Sequence, residues 1–237
     1  MLSKKTWQPE LVLQFCGAQL LCFGIGLLAA ALLHQAGVRG FKNDDDFGNV
    51  LLATLSFQGA TWVLIPAFLR RHQIHWRDAF GLRRLDFPRA LGWAMAALIV
   101  VLPVVLSLNY FSEIAMQEAG WQPKSQAAVE LLMGAPLWPT GIYLGFFAVV
   151  LAPVAEEFIF RGVLFPFVKQ LGWPKLAWFG VSFLFALIHG TAAILIPLFV
   201  LALALTWLYE KTGNLLAPIV VHGLFNGANL VFFYLNR

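Results

Sequence analysis

Long apolar runs separated by short polar connections fill the chain, at about residues 11–33, 48–69, 90–111, 137–168, 174–189, 191–209 and 215–235. Crossing the hydrocarbon core of a bilayer takes about 20 apolar residues as a helix. A backbone facing lipid must satisfy its own hydrogen bonds, so these runs read as helices. The pattern predicts an all-α, polytopic transmembrane bundle of seven or eight helices, with residues 1–237 forming a single membrane-embedded domain. The 137–168 run is too long for one upright span. It is either strongly tilted or broken near Pro153, with a second short element after Gly162 making the eighth helix. The first run follows MLSKKTWQPE, is long and lacks a small-residue cleavage site, so it reads as a retained span.

Composition agrees with the pattern. The chain is 60% hydrophobic and 12% charged, against about 25% charged for an ordinary soluble domain, and its mean hydropathy is +0.76. The net charge of +4 points to membrane orientation rather than nucleic acid. Arg70, Arg71, Arg77, Arg83, Arg84 and Arg89 gather in one connection, against Asp78 and Asp86. That connection is expected on the cytoplasmic side, in reach of anionic headgroups of the lipid bilayer. Lys4 and Lys5 put the N-terminus on the same side, in a multi-pass protein of the cell membrane. Asp44, Asp45 and Asp46, and the connection bearing Glu113, Glu118 and Glu130, fall outside. The three aspartates read as a solvated loop. Cys16 and Cys22 lie six apart in the first run and read as buried packing residues, without disulfide or metal spacing. The nine tryptophans fall mostly near run ends, as an interfacial belt would place them.

The candidate chemistry sits where charge costs most. Glu156, Glu157 and Arg161 lie inside LGFFAVVLAPVAEEFIFRGVLFPF, and a charged side chain at membrane depth costs about 2.5–3.5 kcal/mol on insertion scales. His189 (FLFALIHG), His222 and Asn226 (APIVVHGLFN) join them in apolar surroundings. Glu157 and Arg161 are an i,i+4 pair, able to offset each other's cost. Glu156 is rotated by about 100° from Glu157 on a 3.6-residue helix and so faces another way. His222 and Asn226 share a face by the same i,i+4 rule. A carboxylate, two imidazoles and an amide around a polar intramembrane cavity suit water activation and oxyanion stabilisation. The structural alternatives are an inert Glu–Arg pair, an interhelical histidine, or a proton pathway in a small transporter.

The segment AEEFIFRG resembles the EExxxR motif of the CPBP intramembrane proteases, the family of CAAX proteases, bacteriocin-processing enzymes and abortive-infection proteins. Phe185 and His189 fit its FxxxH motif, and His222 with Asn226 fit its HxxxN motif; about residues 140–230 carry the resemblance. It implies an intramembrane endopeptidase acting on a membrane-associated peptide or protein, CAAX-like or bacteriocin-related. Glu156 would be the general base assisted by His189, Glu157 and Arg161 would organise the site, and His222 with Asn226 would form the oxyanion hole. A metalloendopeptidase is the variant reading, with Glu156, His189 and His222 as candidate Zn²⁺ ligands. No HExxH spacing is present. The alternative from another class is a non-proteolytic scaffold or bacteriocin-immunity protein that binds through the same pocket. Any shared site has a geometric condition. His189 and His222 meet only if the 174–189 helix stops within the membrane at His189 and Gly190.

Overall fold

The computed structural model describes residues 7–43, 46–82, 87–121, 131, 134, 141–190 and 192–235. Lys4, Lys5, Asp44, Asp45, Arg83, Arg84, Asp86, Glu130 and Trp138, which carry part of the charge and belt patterns, lie outside the described residues. Among those described, no strand occurs. The apolar runs become α1 (Pro9–Gln35), α2 (Phe47–Arg71), α4 (Phe87–Glu118), α5 (Ile142–Gln170), α6 (Pro174–Leu187), α7 (Ala192–Thr212) and α8 (Leu216–Leu235). A short helix, α3 (Trp76–Phe80), lies in the arginine-bearing connection. Five of these, α1, α2, α4, α5 and α7, are long and apolar enough to cross a membrane.

Several sequence expectations need correcting, and one open alternative is decided. The long run after residue 137 is not broken at Pro153: α5 is continuous over Ile142–Gln170. Two π-helical stretches, Phe147–Leu151 and Phe158–Leu164, flank the segment that carries Pro153 and take up the irregularity without ending the helix. Among the described residues, the eighth helix is α3 instead. Its Ala79 and Phe80 are buried, with Phe80 packed on Phe158 at 4.8 Å between ring centroids, so the basic connection is partly folded into the bundle. Likewise α4 runs on to Glu118, placing Glu113 and Glu118 on helical turns rather than in a connection. Cys16 and Cys22 are half-buried and unpaired in a disulfide, not fully inside. Trp7 is no belt residue: it is 1% exposed and its indole Nε1–H donates to the Gly162 carbonyl.

Two apolar clusters hold the bundle. One gathers aromatic rings of several helices, including Trp7, Phe15, Phe68, Phe80, Phe158, Phe165 and Phe185. The other sets Ala90, Ala94 and Ala97 of α4 against Leu201, Leu205 and Leu208 of α7 and Val221 and Phe225 of α8. Small residues one or two turns apart let helix backbones approach closely, which is how membrane helices associate when lipid is as apolar as their side chains.

Several chain ends share one face. The Trp7 main chain bonds with Gln170, Gln8 donates to His72 Nε2, and Leu215 donates to the Phe80 carbonyl. Glu210 near the end of α7 pairs with Lys169 of α5 and accepts from Trp178 of α6. The start of α1 and the connection after Arg71 therefore lie on the same side. From that face α6 runs inward for 14 residues, about 21 Å at 1.5 Å per residue, short of the roughly 30 Å hydrocarbon core. It stops at Ile188, and Gly190 turns the chain with φ +70°, a left-handed conformation glycine adopts without steric cost. The helix is too short for a full span, as a shared site requires.

Candidate active site

α5 supplies three charged groups and the turn of its helix sends them to two places. Glu157 and Arg161, both 0% exposed, form the expected ion pair, with Arg161 Nη1 donating to Glu157 Oε1 at 2.8 Å. The guanidinium also donates from Nη2 to the Ala202 carbonyl at 2.9 Å and from Nε to Thr206 Oγ1 at 3.4 Å. Its flat face lies 4.7 Å from the centre of the Phe185 ring. A fork with several fixed donors can meet carboxylate, carbonyl and hydroxyl at once, which a lysine ammonium on a flexible stem does less well. Thr206 and Ser182, 3.4 Å apart and fully buried, complete the lining behind it.

Glu157 has a second partner. His222 Nδ1 lies 3.0 Å from the same Oε1, while Oε2 of Glu157 is buried and accepts no hydrogen bond among the described residues. Glu157 thus joins Arg161 to His222, a role beyond the ion pair expected from spacing. With Nδ1–H given to Glu157, the other nitrogen of His222 is turned toward Glu156: Nε2 is 3.8 Å from Oε2.

His189 mirrors this arrangement from the end of α6. Its Nδ1 lies 2.7 Å from the Phe185 carbonyl, which can only accept, so Nδ1 carries the proton. Its Nε2 lies 3.9 Å from the same Oε2 of Glu156. Phe185 sits between the parts, with ring centroids 4.8 Å from His189 and 5.6 Å from His222, and is 0% exposed. Two imidazoles from different helices therefore aim at one carboxylate oxygen, each oriented by an acceptor behind it.

Exposure separates the two halves of the cluster. The Glu156 side chain is 10% exposed and that of His189 18%, whereas Glu157 and Arg161 are sealed. The outer half is reachable, and the inner half supports it.

Asn226 is placed differently from the spacing argument. Its Nδ2 donates to the Ala148 carbonyl at 2.9 Å, in the first π-helical stretch of α5. Such a stretch shifts the i→i−4 ladder and leaves carbonyls needing other donors. The same solution recurs at the other two described π-helical stretches. Gly162 O receives Trp7 Nε1–H at 3.2 Å, and Phe57 O, in the α2 stretch Leu55–Gly59, receives Gln19 Nε2 at 2.6 Å. These side chains hold irregular backbone beside the polar cluster. The α2 stretch also brings Gln58 to Glu156, with Nε2 3.3 Å from Oε1. Gln58, Ser182 and Thr206 belong to no motif; a polar residue amid an apolar run was their only signal.

Residues 137–228 match the family described as type II CAAX prenyl endopeptidase Rce1-like. The chain resembles the Rce1-like proteases. That match includes every charged, histidine and asparagine side chain named above in the cluster and agrees with the resemblance carried by the three motifs. Among curated proteins, UPF0177 protein YxdF of Lactococcus lactis is 33% identical over 78 residues, 32% of this chain and 42% of that protein. UPF0177 protein YaiF of the same organism is 27% identical over 155 residues, 62% of this chain and 68% of the other. The membrane-embedded CAAX protease MroQ of Staphylococcus aureus is 28% identical over 152 residues, 61% of this chain and 58% of that one. The chain thus spans less than two thirds of the first and third of these relatives. No solved structure gives a significant match. The Rce1-like region contains the whole α6–α7 hairpin, whose tip carries His189.

Proposed function

We propose that this protein is an intramembrane endopeptidase that hydrolyses a peptide bond of a membrane-associated peptide or protein with water activated by Glu156. One observation carries the reading: Glu156 Oε2 faces the Nε2 atoms of His189 and His222 at 3.9 and 3.8 Å, in the less deeply buried half of the cluster. These gaps exceed a hydrogen bond, and a water between Oε2 and either Nε2 can contact both groups. Glu156 takes a proton from that water as its oxygen attacks the scissile carbonyl carbon. The carbonyl π bond opens to a tetrahedral oxyanion. The C–N bond then breaks, and the proton held by Glu156 passes to the leaving nitrogen. His189, fixed by the Phe185 carbonyl, orients the water. His222 donates to the oxyanion from Nε2 in its protonated form, with the Glu157 carboxylate behind Nδ1 balancing the charge. Asn226 has a second amide hydrogen beyond the one given to Ala148, and it is the further donor.

The donor set also suits a metal. Histidine ligands of a metal characteristically hold their second nitrogen on an acceptor, as His189 and His222 do. Carboxylate and imidazole are ligand types that Zn²⁺ accepts, and Glu156 Oε2 lies 3.9 and 3.8 Å from the Nε2 atoms of His189 and His222. Among the described residues no three such side chains form a ready-made cage. Zn²⁺ held by Glu156, His189 and His222 would supply Lewis-acid polarisation of the water and carbonyl.

The substrate class is CAAX-like, by analogy with the Rce1-like family and the relative described as a membrane-embedded CAAX protease. The face shared by the start of α1 and the arginine-bearing connection is assigned to the cytoplasm by its positive charge. The test compares wild type with Glu156→Gln and His222→Ala on a library of membrane-anchored peptides in nanodiscs, with and without chelator. Cleavage is expected to vanish in Glu156→Gln while the protein stays folded. Undiminished cleavage by that variant would end the assignment, and an inactive wild type would favour a binding role for the pocket.

A further inference from the structure

Glu156 has a polar partner on a helix outside the Rce1-like region. Gln58 stands 98 positions earlier in the chain, on α2, and its Nε2 lies 3.3 Å from Glu156 Oε1. The two carboxylate oxygens are thereby distinguished. Oε1 meets an amide, and Oε2 meets the Nε2 atoms of two imidazoles. A terminal carboxylate torsion is broad and soft, so without a partner on one side the group can turn its plane away from the reacting position.

The backbone that presents Gln58 is fixed from both sides. Gln58 sits in the π-helical stretch Leu55–Gly59, and the carbonyl of Phe57, the preceding residue, accepts from Gln19 Nε2 at 2.6 Å and Thr61 Oγ1 at 2.9 Å. Gln19 and Thr61 also bond to each other at 3.3 Å, and both are buried. Buried polar networks are kept where each member is satisfied, and they define one arrangement of the elements they join. This one joins α1 to α2 immediately beside the residue that reaches the carboxylate.

An amide suits that place chemically. A glutamine side chain carries two N–H donors and a carbonyl and has no proton to exchange at ordinary pH. It therefore holds the ionised carboxylate through N–H without competing for the proton that Oε2 takes up. Rotated by half a turn, its carbonyl accepts from the protonated acid. The other charged or titratable groups beside Glu156 are His189 on the α6–α7 turn, His222 on α8, and Glu157 and Arg161 on its own helix.

We propose that Gln58 is a positioning residue that orients the Glu156 carboxylate, holding Oε1 so that Oε2 faces the reacting water. The proposal rests on Glu156 being the base. Gln58→Met keeps length and bulk and loses the donor, and Gln58→His keeps an N–H donor. On a cleavable membrane peptide, Gln58→Met is expected to lose about tenfold to a hundredfold in kcat with KM nearly unchanged, the loss of a hydrogen bond to a charged group. Gln58→His is expected to recover part of that loss. A second readout needs no substrate: the infrared carboxyl band identified by its disappearance in Glu156→Gln should shift in Gln58→Met. Unchanged kcat in Gln58→Met, equal losses in both variants, or an unmoved band overturns the positioning role. If wild type cleaves nothing, the peptidase reading fails separately, and the band alone decides whether Gln58 holds the carboxylate.

Discussion

Gly223 follows His222 where α8 lies tight against α5, and replacing it by alanine separates geometry from stability. A Cβ there would stand 2.6 Å from the Val149 carbonyl oxygen, against the 3.3–3.6 Å of ordinary C···O contacts. The obstacle is backbone in a π-helical stretch that Asn226 also engages, so α8 and α5 must part by about 0.7–1 Å. Overpacking of this kind costs about 1–3 kcal/mol. Alanine returns about 0.8–1 kcal/mol in helix propensity. The net destabilisation is about 2 kcal/mol at most, a few degrees in Tm for a chain of this size. Displacement matters more, because His222 moves with the helix and its contacts to Glu157 and Glu156 lie at 3.0 and 3.8 Å. A misplacement of about 1 Å can cost a hundredfold in rate. Gly223→Ala should therefore lose about tenfold to a hundredfold in kcat/KM while melting within a few degrees of wild type. Gly227→Ala is the control, since its added Cβ would meet only Val149 methyl groups at 3.8 Å. Peptide cleavage in nanodiscs and thermal unfolding in the same detergent read both effects. Wild-type activity in Gly223→Ala, or equal losses in both variants, refutes the steric argument.

Arg161→Met should destabilise the fold by about 3–5 kcal/mol, because it leaves Glu157 charged and buried beside His222; thermal unfolding measures it, and Arg161→Lys should restore only part. Trp7→Phe keeps most of the ring packing and strips the donor from the Gly162 carbonyl, for an expected loss of about 1–3 kcal/mol in the same assay. A melting point within a degree of wild type would show that another group satisfies that carbonyl. At the α1–α2 connection, main-chain N–H groups of Asn43 and then Lys42 hold the Asp46 carboxyl below its ordinary range. A depressed carboxyl lends local stability at pH above its unfolded value, about 4, which is lost as pH falls through the lower folded value. Amide exchange at Lys42 and Asn43, corrected for intrinsic rates, should lose protection below about pH 4 in wild type and show no such step in Asp46→Asn.

Residue type and spacing carried much of the site. The i,i+4 rule paired Glu157 with Arg161, and the step of about 100° per residue set Glu156 on another face. The condition that His189 meet His222 required the 174–189 helix to stop by His189 and Gly190, as it does. The sequence could not show that Glu157 also receives His222, since that contact spans 65 positions and depends on how α8 lies against α5. The continuity of α5 through Pro153 was hidden for a related reason. A π-helical turn displaces carbonyls that need other donors, and the groups that supply them here, Asn226 and Trp7, are far away in sequence.

Hydrophobic run length and the cost of charge in lipid determined, from the sequence alone, that this is a helical membrane protein with a polar cluster in its C-terminal half. Both follow from solvation, which each segment feels separately. Tertiary structure alone decided which atoms of different helices face one another: Gln58 on one carboxylate oxygen of Glu156, His189 and His222 on the other, and His222 on Glu157 as well. Those choices follow from close packing between helices, and no single segment contains the partners that make them.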